Sequence, residues 1–137
     1  MKVNVLKKKE ILFRQGDPGD GLYYIHLGQV GIYTGYGTPN QIKIAELFSD
    51  EFVGEMGIIS GLPRNATAVS LMDGTQVEHV TDAEFAAFYE KSPARVLQLM
   101  EQMSYRLRKI TRRYLEECRE AYTLIEQNAQ AADEKTN

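Results

Sequence analysis

The chain has 137 residues, with 16 basic against 19 acidic side chains and a net charge of −3. Apolar residues make up 43% and charged residues 26%, which suits one folded domain and argues against a wholly disordered chain. The charge balance excludes a whole-protein attraction to nucleic acid or to an anionic membrane. A single cysteine, Cys118, excludes an intramolecular disulfide and a Cys-ligated iron–sulfur cluster. Two histidines, His26 and His79, leave little for a multi-histidine metal site, so neither a metal nor a catalytic set is expected. The apolar runs are too short to span a bilayer, and the first ten residues lack a signal-peptide stretch. A cytoplasmic protein is the expectation.

All 11 glycines lie between Gly16 and Gly74, and three of the four prolines lie there too. Such spacing divides the chain into a turn-rich front and a helical back. In the front, the apolar run between Gly21 and Gly28 is followed by Gln29–Thr34, where Val30, Ile32 and Thr34 share a face by the two-residue period. Residues 35–39 read as a loop, and Gln41–Glu46 alternates again through Ile42 and Ile44. Thr67–Met72 and Thr75–Val80 flank Asp73-Gly74, a pattern that predicts a hairpin. Several short strands at this spacing predict a β-sandwich or jelly roll. The expected fold is mainly β, a double-stranded β-helix (jelly roll) closed by a short helix and a long C-terminal helix.

The back begins with Thr81-Asp82-Ala83-Glu84, where Thr81 as N-cap and Glu84 three residues on form a capping box. A short helix carrying Phe85 and Phe88 then ends near Lys91. Pro93 suits the first turn of a second helix, and neither Gly nor Pro follows it. A helix from Pro93 to about Gln130 would be roughly 55 Å long, more than a small sandwich covers. Val96, Met100, Met103, Leu107, Ile110, Tyr114, Ala121 and Leu124 follow steps of four and three, with Glu117 breaking the seam. This is the a/d spacing of a coiled coil. It predicts that Val96, Met100 and Met103 pack on the roll and that the distal residues meet a second chain in a parallel homodimer. The whole chain reads as one domain: roll and short helices over 1–92, the long helix over 93–130, and a frayed tail over 131–137.

Chemistry is densest in residues 52–67, Phe-Val-Gly-Glu-Met-Gly-Ile-Ile-Ser-Gly-Leu-Pro-Arg-Asn-Ala-Thr. Glycines let backbone N–H groups approach a ligand. Arg64 offers planar donors for a phosphate, and Glu55 accepts hydroxyl hydrogen bonds of the kind a ribose supplies. An anion and a diol in one cradle describe a nucleotide. An ordinary loop with a Glu55–Arg64 ion pair is the bland alternative. His26, His79 and Cys118 read as ordinary packing residues, and the basic run Arg106–Arg113 as a solvated face or an aid to ligand neutralisation.

Gly54-Glu55-Met56-Gly57-Ile58-Ile59 and Pro63-Arg64-Asn65-Ala66-Thr67 resemble the phosphate-binding cassette of cyclic nucleotide-binding domains. Those domains occur in catabolite activator proteins, cAMP-dependent kinase regulatory subunits and cyclic-nucleotide-gated channels. Upstream, Gln15-Gly16-Asp17-Pro18-Gly19-Asp20 resembles the family's Gly-Asp-x-Gly-Asp turn, and Tyr24-Ile25, Gly28 and Val30 match the family's next strand and turn. The resemblance covers about residues 5–115. It implies a ligand, cAMP or cGMP, and a role for each matching residue. Glu55 would accept the ribose 2′-hydroxyl. Arg64 would bind the exocyclic phosphate oxygens with the Ala66 N–H, and Gly54 and Met56 would line the cradle by backbone. Arg106 and Thr111 fall where bacterial regulators place a structural arginine and a base-contacting hydroxyl. Asn65 stands where the family has Ser or Thr, Asp50 where it has glycine, and Val53 where Phe or Ile is usual.

No helix-turn-helix segment follows the long helix, so specific DNA binding by this chain is not expected. The expected function is a cyclic nucleotide sensor that signals through a long dimerisation helix. The alternatives are an excised sensor of a larger transcription regulator or channel, a cupin-type enzyme, and a scaffold with an empty pocket. Two distant histidines disfavour the enzyme.

Overall fold

The computed structural model describes residues 2–55 and 62–136, with side chains described through residue 133. Eight strands come first: β1 (Lys2–Leu6), β2 (Ile11–Phe13), β3 (Leu22–Leu27), β4 (Gln29–Thr34), β5 (Ile42–Phe48), β6 (Phe52–Val53), β7 (Thr67–Ser70) and β8 (Thr75–Val80). Two helices come next, α1 (Phe85–Lys91) and α2 (Pro93–Thr136). The strands form two four-stranded sheets, ordered β1-β8-β3-β6 and β2-β7-β4-β5, with antiparallel pairing throughout. The jelly-roll expectation therefore holds. The expected strand at Gln29–Thr34 is β4, and the one at Thr75–Val80 is β8. The spacing carries no signal for β1, β2 and β6, which are short or lack a clean alternation.

The chain changes sheet at nearly every turn; among the described strands, only β4 and β5 are chain neighbours in one sheet. This corrects the hairpin expected around Asp73-Gly74. β7 pairs with β2 and β4, and β8 pairs with β1 and β3. Both are interior strands with no free edge left for each other. The turn instead satisfies itself through side chains, because the Ser70 and Thr75 hydroxyls both donate to the Met72 carbonyl at 2.9 Å. It is also tied to the β1–β2 connection, where Lys8 N–H donates to Asp73 Oδ1 at 2.8 Å and Gly74 N–H to the Leu6 carbonyl at 2.9 Å. A similar sheet change occurs at Gly28. Its φ is +104°, and a Cβ there would lie 2.5 Å from Thr75 Oγ1, so only glycine lets the two segments touch.

Ile25, Val30, Leu47, Val53, Ala68 and Val77 form the buried core, drawn from both sheets. Leu6, Leu12, Phe13, Tyr23 and Ile32 pack against it. On the other side of the first sheet, Tyr24 and Phe52 pack edge to face at 5.0 Å, and Phe52 meets Phe88 of α1 at 6.2 Å. Thr81 and Glu84 are bonded to each other, Glu84 N–H donating to Thr81 Oγ1 at 3.3 Å, but the N-cap of α1 is Glu84 and not Thr81, which corrects the expected helix start. The Glu84 carboxylate accepts from the Thr81 hydroxyl at 2.8 Å. The pair closes a turn just ahead of α1, which begins at Phe85 and ends at Lys91.

α2 begins at Pro93 as expected and continues for 44 residues, beyond Gln130 to Thr136. The chain divides into two compact units, Met1–Leu99 and Met100–Asn137. In the first unit, the opening turns of α2 are anchored to the outer face of the first sheet. Arg95 lies 4.7 Å over the Tyr24 ring and 3.8 Å from the Glu78 carboxylate, while Leu99 is buried. Val96 in the first unit and Met103 in the second are half-buried, while Met100 is 62% exposed. Leu107, Ile110, Tyr114 and Leu124 are exposed as well.

Candidate functional site

Arg64 is 7% exposed and Glu55 4% exposed, unusual burial for charged residues. The Arg64 guanidinium is held by carbonyls. Nη1 donates to Gly54 O at 2.7 Å, and Nη2 donates to Gly21 O at 2.9 Å and to Asp20 O at 3.3 Å. Its flat face lies 4.3 Å from the centre of the Phe13 ring. Nε is buried and has no hydrogen-bond partner among the described residues. A buried donor without an acceptor costs about 1–3 kcal/mol, so an acceptor brought to Nε would be stabilising.

The rest of the site is fastened by backbone. Arg64 N–H donates to the Asp17 carbonyl at 2.8 Å, and Gly16 N–H to the Arg64 carbonyl at 2.7 Å. Gln15 N–H donates to Thr67 Oγ1 at 2.9 Å. The Gly16–Asp20 turn and the Pro63–Thr67 segment, far apart in sequence, thus form one unit. Gly54 has φ +80°, and a Cβ on it would lie 2.6 Å from Arg64 Nη1. Glycine is needed there because a side chain would occupy the place of the guanidinium.

A cavity of about 320 Å³ opens beside Arg64, lined by Leu12, Phe13, Asp17, Asp20, Tyr23 and His79 among others. Its size falls in the range of small-molecule sites. The Tyr23 and His79 rings stack at 4.5 Å, and His79 Nε2 lies 2.7 Å from the Asp20 carbonyl. Burial lowers the Arg64 pKa from its ordinary value, and Tyr23, Asp20, Asp82 and Asp17 work against that shift. Burial likewise raises Tyr23.

Of the expected site residues, Gly54, Glu55, Arg64, Asn65 and Ala66 lie together in the first unit. Asn65 is exposed and Ala66 buried. Met56 and residues 57–61 lie outside the described residues. Arg106 and Thr111 lie on α2 in the second unit, half-buried and exposed respectively. Sequence reasoning missed Phe13, Tyr23 and the carbonyls of Asp20 and Gly21. The motif at Asp17–Gly21 marks the segment, but carbonyls belong to every residue and leave no sequence signal. His26 pairs with Glu78 at 3.1 Å, whereas His79, read from sequence as a packing residue, lines the cavity beside Arg64. Among the described residues, no cluster of His, Cys, Asp or Glu can hold a metal ion, and no helix is long and apolar enough to cross a membrane.

The fold is a jelly roll with a buried arginine beside a small cavity, and the family profile for the cyclic nucleotide-binding domain matches residues 3–92. The chain belongs to that family. It is 35% identical over 83 residues to a cyclic nucleotide-gated potassium channel of Mesorhizobium japonicum, covering 61% of this chain and 21% of that protein. It is 36% identical over 72 residues to a cAMP-dependent protein kinase regulatory subunit of Dictyostelium discoideum, covering 52% of this chain and 22% of that protein. The chain thus spans about a fifth of these curated relatives. Among solved structures, the Thermus thermophilus catabolite activator protein is similar at a TM-score of 0.66 and 25% identity, over 79% of this chain and 50% of that one.

Proposed function

We propose that this domain is a cyclic nucleotide sensor, taking cAMP or cGMP in the cradle of Gly54, Glu55, Arg64 and Ala66. The observation that carries the reading is the buried Arg64 guanidinium, fixed by three carbonyls and with no acceptor at Nε among the described residues. In this reading Arg64 and the Ala66 N–H take the exocyclic phosphate oxygens. Glu55 takes the ribose 2′-hydroxyl, and Gly54 lines the cradle by backbone. Asn65 borders the phosphate and bears on the choice between cAMP and cGMP, since its amide both donates and accepts. The resemblance gives Arg106 and Thr111 the parts of a structural arginine and a base-contacting hydroxyl. The domain binds and releases the nucleotide unchanged, needs no cofactor, works in the cytoplasm and does not bind DNA specifically by itself. Its output passes through α2, which pairs with a second copy of the chain.

Titration calorimetry with cAMP and cGMP tests the reading. Binding of at least one of them below high micromolar concentration is expected, without turnover. Arg64→Ala removes a hydrogen bond to a charged group, about 1.5–3 kcal/mol, or roughly 10–150-fold in affinity. No binding of either nucleotide would leave the scaffold alternative. Equal affinity in wild type and variant would move the site elsewhere.

A further inference from the structure

The apolar face of α2 runs differently from the heptad steps. After Tyr114 those steps lead to Glu117, Ala121 and Leu124. On a regular helix of 3.6 residues per turn, Glu117 and Leu124 sit about 60° and 80° to one side of Tyr114. Cys118, Ala121 and Ile125 stay within about 40° of it, as do Ile110 and Leu107. The spacing also repeats. Met100 is followed by Cys118, Met103 by Ala121, and Leu107 by Ile125, each pair 18 residues apart. Eighteen residues are five whole turns, so this stripe lies straight along the helix. A strict seven-residue repeat drifts and requires supercoiling.

Deepening the dimer reading above, on which this rests, we propose that a second copy of the chain docks on the stripe Leu107, Ile110, Tyr114, Cys118, Ala121 and Ile125, with Glu117 and Leu124 on its flank. Along that line the stripe carries no charge. The heptad path instead places the Glu117 carboxylate in a seam that a two-fold partner would share. Leu107, Ile110 and Ile125 are each 66% exposed and Tyr114 is 64% exposed. Cys118 is free and exposed. Eight large apolar side chains on the stripe or its flanks, from Met100 to Ile125, are 56–66% exposed. At roughly 60–120 Å² each, they offer on the order of 500–1,000 Å² per copy. A stable pair needs about 800 Å² from each member. The charged flank carries Arg106 and Arg113 against Glu117 and Glu120, two of each sign, so its charges sum to zero and two copies bring no net repulsion along it.

Sedimentation of the full chain from micromolar to hundreds of micromolar concentration tests this with the same new side chain at neighbouring positions. Cys118→Lys and Ile125→Lys are each expected to weaken the dimer by about tenfold or more, while Glu117→Lys changes it by less than about threefold. Cys118→Leu is expected to tighten it. Helical content by circular dichroism and nucleotide affinity of the roll are expected to remain at wild-type level, which separates loss of the interface from loss of the fold. Weakening by Glu117→Lys equal to or greater than that by Cys118→Lys overturns the proposed face while leaving the dimer itself intact. A wild-type chain that stays monomeric across the range overturns both the face and the dimer reading, and calorimetry then reports independently on nucleotide binding.

Discussion

Asp50 and Gly54 stand on either side of β6, and both have positive φ, +68° and +80°. Asp50 occupies the place where the family has glycine. An aspartate tolerates this left-handed conformation better than most residues, and here its carboxylate accepts a 2.7 Å hydrogen bond from the Tyr24 hydroxyl. Burial and that hydrogen bond push the Tyr24 pKa up to about 12. A phenol with a raised folded-state pKa contributes stability that is fully present below its ordinary value near 10 and lost as pH rises through about 12. Denaturant titrations between these pH values are therefore expected to show a steeper loss of stability for wild type than for Tyr24→Phe. Parallel slopes would show that Tyr24 ionises as an exposed tyrosine does. Gly54 gives a second residue-scale test. Gly54→Ala places a Cβ 2.6 Å from Arg64 Nη1 on a strained backbone, so nucleotide affinity is expected to fall by about tenfold or more. An unchanged affinity in calorimetry would mean that the guanidinium does not need that position.

At the scale of elements, α1 is seven residues long, too short to be stable alone. It persists because Phe88, 1% exposed, inserts between α1 and the first sheet against Phe52, which is fully buried. Phe88→Ala leaves a cavity and is expected to cost about 3–5 kcal/mol in denaturant unfolding. A loss below about 1 kcal/mol would show that α1 is held by something other than this ring. The strands show a different dependence. β7 is buried at each of its four positions, so both faces of the sheet are covered there and its sequence does not need to alternate. β1, at a sheet edge, leaves Val3 and Val5 exposed.

At the scale of the whole molecule, two units of different character share one helix. Residues 1–99 carry the buried core and the cradle. Residues 100–137 carry large apolar side chains in water, which a monomer retains only at a cost in hydration. If the second unit is covered by another copy, amide exchange over residues 100–133 is expected to slow as protein concentration rises. Exchange in β3, β7 and β8 is expected to stay constant. Mass-spectrometric exchange at two concentrations a hundredfold apart measures this. Protection in the helix that is independent of concentration would count against a self-association surface there.

The sequence by itself determined the division into a turn-rich front and a helical back, the start of α2 at Pro93, and the β4 and β8 strands. These features rest on short-range physics: φ at glycine and proline, alternation along a strand, helical period. The cassette of Gly54, Glu55 and Arg64 was legible through its resemblance to a family motif rather than through local physics. Tertiary structure alone decided three further things. It placed β7 and β8 in different sheets although Asp73-Gly74 separates them, because a turn sequence states that the chain bends and not which strands have free edges. It brought the carbonyls of Asp20 and Gly21 onto Arg64, since a carbonyl carries no sequence identity. And it left Met100 exposed on a helix that keeps its regularity to Thr136, because whether an apolar face is covered depends on what lies opposite, which periodicity does not contain.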